Sequence, residues 1–186
     1  MKILTEPDFL ISKWSGGTTT QLYIFPEDAD LAKRNFDWRI SSAVVENETS
    51  GFTLFEGYER ILIPLKGRLE MEHQTPNGVF HQDVAEFQLA RFSGSWETKG
   101  KGKLTDFNLI FRSVYHPKVH IAYFTEATHS EWEETTTALF LQEGACSVSD
   151  RYVHAPALIL NDTHQRTTIR CSAGSRFISI EMDLMD

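Results

Sequence analysis

The sequence is poor in the features that usually announce a function. Only two cysteines, Cys146 and Cys171, occur in 186 residues, with no CxxC and no histidine at ligand spacing from either. Each lies in an apolar or β-type neighbourhood and is expected as a buried, unreactive thiol. Basic charge is also scarce: 18 Lys and Arg stand against 26 Asp and Glu, for a formal net charge of -8. A broad hold on phosphate backbones needs a basic face, so nucleic acid is excluded as the expected partner, and an anionic membrane surface with it. No apolar run approaches the ~20 residues a membrane helix needs. The segment Met1-Lys2-Ile3-Leu4-Thr5-Glu6-Pro7 shows no basic stretch leading into an apolar one. No signal peptide is expected, and a cytoplasmic location is.

Catalytic motifs are missing too. Seven histidines are present (His73, His81, His116, His120, His129, His154 and His164), but no HxH pair. The close pair His116 and His120 has helical spacing, and Pro117 argues against a helix there. No metal and no cofactor are expected. There is no GxSxG, and Ser93-Gly94-Ser95 lacks a strand-turn-helix setting. The run Gly16-Gly17-Thr18-Thr19-Thr20 has neither the lysine of a phosphate loop nor the spacing of a dinucleotide fingerprint. It reads as a tight turn feeding a strand, with its threonines alternatively at a pocket mouth.

What is present is β-structure. At 41% apolar and 24% charged residues the composition is that of an ordinary globule. Helical patterning is confined to Pro26–Arg34, one or two turns at most. Short β-branched and aromatic runs fill the rest: Leu22–Phe25, Trp38–Val45, Arg60–Leu65, Phe87–Phe92, Phe107–Phe111, His120–Phe124, Ala138–Leu141, Ala157–Leu160, Thr167–Arg170 and Phe177–Met182. A weak repeat organises them. An apolar strand, a glycine (Gly67, then Gly144) and an alternating strand occur in each half, followed by two further strands. That order suits jelly-roll winding and predicts an all-β chain of two packed barrels, 1–114 and 115–186, with an approximate seam and with strand exchange between them left open.

Alternation narrows the site. Arg39, Ser41, Ala43 and Val45 share one face of their strand, and Asp106, Asn108, Ile110 and Arg112 one face of theirs, opposite the aromatic positions. Either that polar face meets water, or it forms the inner wall of a pocket in which a guanidinium grips a carboxylate and an amide orients it.

Three blocks resemble the HutD/Ves family: Trp14–Leu22; Phe36–Val44 continuing to Gly51–Arg60; and Phe92-Ser93-Gly94 with Thr98 and Asp106–Leu109. The chain departs from the family pattern at Gly16-Gly17, where members often carry Asn-Gly-Gly-Gly. The resemblance implies a bicupin fold, no established catalytic activity and no cupin metal ligands. It also implies a regulatory link to histidine utilisation through a small anionic metabolite, formylglutamate-like or urocanate-like, while other members are described as stress-related. Carried over residue by residue, the ligand-binding candidates are Thr19, Gln21, Arg39, Ser41, Arg60, Gly94, Asp106 and Asn108. The competing reading is a cupin-type enzyme acting on a small polar metabolite, which the histidine inventory and the lack of a close acid–base pair disfavour. The sequence leaves monomer and homodimer open.

Overall fold

The computed structural model describes residues 1–184 and is β-rich throughout. Its strands are β1 (Lys2–Thr5), β2 (Leu10–Trp14), β3 (Gly17–Phe25), β4 (Trp38–Val45), β5 (Thr49–Gly51), β6 (Tyr58–Lys66) and β7 (Leu69–Thr75). They continue with β8 (Gly78–Val84), β9 (Ala90–Ser93), β10 (Glu97–Lys101), β11 (Leu104–Arg112), β12 (Lys118–Phe124) and β13 (Thr128–Trp132). The last are β14 (Ala138–Glu143), β15 (Ala145–Val148), β16 (Arg151–His154), β17 (Ala157–Leu160), β18 (Thr167–Cys171) and β19 (Ser175–Glu181). One 3-10 turn, Glu6–Asp8, is the sole helical element among the described residues. No helix among them is long and apolar enough to cross a membrane.

Two compact units divide the chain. Residues 10–113 form a six-stranded sheet, β2-β3-β4-β11-β6-β9, and a four-stranded sheet, β5-β10-β7-β8. These share a core in which Leu62, Ala90 and Phe92 of the first sheet meet Leu69, Met71 and Val84 of the second. The other unit takes in the N-terminal nine residues together with the chain from Val114 onward. It has a five-stranded sheet, β1-β17-β14-β19-β12, and a four-stranded sheet, β13-β18-β15-β16. Its core joins Leu139, Leu141, Ile159 and Phe177 to Cys146, Val148, Ile169 and Cys171. Residues 1–9, placed within 1–114 by the sequence with strand exchange left open, thus belong to the second unit, where β1 pairs along β17 from Lys2↔Leu160 to Thr5↔Ala157.

None of the four sheets closes on itself through strand pairing, so two open sheets per unit replace the closed barrel expected from the winding order. The expected helix at Pro26–Arg34 is also absent. There the Asp30 carboxylate accepts from the Ala32 N–H at 2.8 Å, Asn35 Oδ1 accepts from the Asp30 N–H at 2.8 Å, and Arg34 turns to φ 54°. Side-chain acceptors have captured the amides that a helix would use. The repeat glycines do mark turns. Gly67 at φ 89° and Gly144 at φ 82° both adopt the left-handed backbone, and a Cβ at Gly67 would lie 2.6 Å from the Lys103 carbonyl oxygen.

Candidate functional site

The site lies on one face of the six-stranded sheet, and register alone assembles most of it. Across β3, β4, β11 and β6 one row reads Gln21, Ser41, Asn108, Leu62. The next row places Ile110 between Arg39 and Arg60, and on the other side Asp106 stands between Ala43 and Pro64. Neighbouring strands are about 4.8 Å apart, so the two arginines flank β11 with their Cα atoms roughly 10 Å from each other. This polar face does not meet bulk water: Arg39 is 6% exposed, Arg60 5%, Asp106 5% and Asn108 9%.

A cavity of about 330 Å³ opens against this face. Thr19, Arg39, Ser41, Arg60, Asp106 and Asn108 line it. Two of the candidates lie elsewhere. Gln21 does not line the cavity but braces it, its Oε1 accepting from Arg39 Nε at 2.7 Å. Gly94 belongs to a backbone clamp: its N–H donates to the Tyr58 carbonyl at 2.8 Å, and its carbonyl accepts from the Phe55 N–H at 2.7 Å. A Cβ at Gly94 would stand 2.6 Å from the Phe55 carbonyl oxygen, so close backbone approach explains that glycine.

Each charged group is held differently. Arg39 is fixed by the Gln21 bond and by donation from Nη1 to Ser41 Oγ at 2.9 Å. Arg60 lies among aromatic rings, with its guanidinium carbon 4.9 Å from the Phe52 centroid, 5.5 Å from Phe92 and 5.9 Å from Phe55. Its Nη1 reaches the Thr53 carbonyl at 3.4 Å, and its buried Nε has no acceptor. Asn108 Oδ1 is likewise buried without a donor. Asp106 Oδ1 accepts from the Ala43 N–H at 3.1 Å, and the Asp106 carbonyl accepts from Ser42 Oγ at 2.6 Å.

Burial governs the electrostatics. Desolvation lowers both guanidiniums to about 10, with Asp106 offsetting part of the effect. It pushes the Asp106 carboxyl up to about 7, although the Ala43 N–H and both arginines favour the carboxylate. At neutral pH the cluster therefore carries between one and two positive charges. An anion with a hydrogen-bond donor would satisfy what the protein leaves open: positive charge, the Arg60 Nε donor and the Asn108 Oδ1 acceptor.

The aromatic wall of Phe52 and Phe55 was not among the candidates read from sequence. The available signal was the Gly51-Phe52-Thr53-Leu54-Phe55 run before the Arg60 strand, because rings near a buried guanidinium shield it by cation–π contact. The histidines build no comparable centre. His73 is buried, with Nδ1 2.8 Å from Thr98 Oγ1 and Nε2 2.9 Å from Gln82 Oε1. Among the described residues no three His, Cys, Asp or Glu side chains converge as a metal-holding group.

Comparison with known proteins places this architecture. An uncharacterized 21.2 kDa protein in the hutC 3′ region of Pseudomonas putida is 27% identical over 157 residues, 80% of this chain and 77% of that one. A conserved protein of unknown function from Pseudomonas aeruginosa superposes with a TM-score of 0.77 at 24% identity, covering 98% of both chains. HutD from Pseudomonas fluorescens, in a structure described as its formate condition, gives 0.73 at 19% identity over 98% of both. The bacterial pirin YhhW from Escherichia coli, solved with nickel(II), gives 0.71 at 10% identity over 99% of both, a likeness of all-β, cupin-like fold alone. The HutD family profile matches residues 6–176, and the chain belongs to the HutD family.

Proposed function

We propose that the protein is a small-molecule-binding regulator linked to histidine utilisation, taking an anionic metabolite of the formylglutamate or urocanate type in the cavity of residues 10–113. One observation carries the reading: two buried arginines share a cavity with a single buried carboxyl, an excess of positive charge that a bound anion would offset. Family membership and the hutC-region relative supply the pathway context. In this reading each pair of facing sheets is one cupin-like jelly roll, and the chain is a bicupin. The test is a thermal-shift screen of N-formylglutamate and urocanate against their carboxamides. The acids are expected to raise Tm by an amount that grows with the logarithm of ligand concentration, past saturation of the site, and the amides to leave it unchanged. Equal shifts from acid and amide would remove the charge argument.

A second reading is favoured by Asp106 itself. A carboxyl with a pKa near 7 inside a cavity is suited to proton transfer. Turnover of any bound acid, lost in Asp106→Asn while binding persists, would establish that reading over the regulatory one.

A further inference from the structure

The second unit contains a cavity of its own, and its chemistry is the reverse of the arginine pocket's. About 140 Å³ lies between the two sheets of this unit. Phe124, Trp132, Leu139, Ile169, Cys171 and Phe177 form most of its wall. Register explains how they meet. Ser130 and Trp132 of β13 oppose Ile169 and Thr167 of β18, which puts Trp132, Ile169 and Cys171 on one inward face. Phe177 of β19 pairs with Ala122 of β12 and Leu141 of β14, on the facing sheet.

Three features define what would fit. Trp132 is 4% exposed, yet its buried Nε1 has no hydrogen-bond acceptor. Buried indole N–H groups normally find a partner, and this one has none in the protein, so a ligand acceptor that reaches it would satisfy it. No lysine or arginine lines the cavity, and its acidic side chains are already engaged. Glu131 Oε1 accepts from Thr168 Oγ1 at 2.9 Å, and Glu133 Oε2 pairs with Arg166 at 2.6 Å. Both glutamates flank the inward-facing Trp132 and are themselves exposed, so the inner wall offers no cation to compensate a buried anion. The thiols add no reactivity. Cys146 and Cys171 stand directly opposite each other, and burial pushes them up to about 12 and about 11. At neutral pH both are protonated, and Cys171 serves as apolar wall.

We propose that this cavity is a second binding site, for an uncharged, mainly apolar molecule that presents one hydrogen-bond acceptor to Trp132 Nε1. Its volume is close to the roughly 150 Å³ of an engineered apolar cavity that binds benzene, so a ring of about six or seven heavy atoms fits. The two units then sort ligands by charge: an acid in the first, a neutral molecule in the second.

Titration of the full ¹⁵N-labelled chain with cyclohexanone tests this, read at the indole N–H resonances of its four tryptophans. The Trp132 resonance, identified through Trp132→Phe, is expected to move downfield and saturate while the other three stay in place. Methylcyclohexane should compete for the cavity, and cyclohexanecarboxylate should not. In Trp132→Phe, followed at the backbone amides of the lining residues Ile169, Cys171 and Phe177, the ketone is expected to bind at least fivefold more weakly and methylcyclohexane as before. Absence of a saturable Trp132 shift, or an equal response to the carboxylate, would overturn the proposal, and both are read on the unmodified chain.

Discussion

Asp106 is the residue on which the pH behaviour turns. Its folded pKa of about 7 lies above the ordinary carboxylate value near 4, so between those limits the native state keeps a proton that the unfolded chain has lost. The stability this contributes is complete below about pH 4 and is lost as pH rises through 7. Asp106→Asn keeps an oxygen for the Ala43 N–H and removes the titration. Chemical denaturation at pH 5 and pH 8 should show a smaller fall in stability for the variant than for the native chain, and an equal fall would displace Asp106 from this role. Asn108 makes a complementary case. Its Oδ1 is buried without a donor, and such a group costs about 1–3 kcal/mol. Asn108→Leu should therefore raise the stability of the empty protein by about 1 kcal/mol and weaken binding of an anion that donates a hydrogen bond to Oδ1. Lower stability with binding intact would make Asn108 a structural residue. Arg39, Ser41, Asp106 and Asn108 were legible from alternation because each lies on a regular strand with period two. The partners of Arg60 were not, because Phe52 and Phe55 come from the irregular chain between β5 and β6, where no period links sequence to direction.

At the scale of elements, strands were easiest to read where β-branched residues run unbroken. Trp38–Val45 and Ala157–Leu160 have the expected bounds. Phe87–Phe92 does not: Phe87 adopts φ 58° and donates its N–H to the Pro64 carbonyl at 2.8 Å, and the strand begins only at Ala90. That bond joins residues 23 positions apart, which local patterning does not register. Gly94 is the informative loop position. Its clamp holds the Phe55–Tyr58 turn beside the aromatic wall of the pocket. Gly94→Ala would force the Phe55 and Tyr58 carbonyls away from a Cβ at 2.6 and 2.9 Å. We expect a loss of about 1–3 kcal/mol, typical of overpacking, with ligand affinity falling as the wall shifts. An unchanged melting temperature would show that the turn yields freely.

Across the whole molecule, the all-β character and the glycine-marked strand order were legible, and the membership of the first residues was not. The glycine-marked repeat has the right order in both halves, whereas nothing local in Lys2–Thr5 names its partner β17, more than 150 positions along the chain. The central claim concerns the arginine cavity, and calorimetric titration of N-formylglutamate into the native chain, Arg39→Ala and Arg60→Met addresses it most directly. The native chain should bind more tightly at pH 6 than at pH 8, taking up a proton on Asp106 as the anion enters. Each arginine variant should lose about 1.5–3 kcal/mol of binding, as for hydrogen bonds to charged groups. Binding that is equally strong in all three proteins would contradict the account.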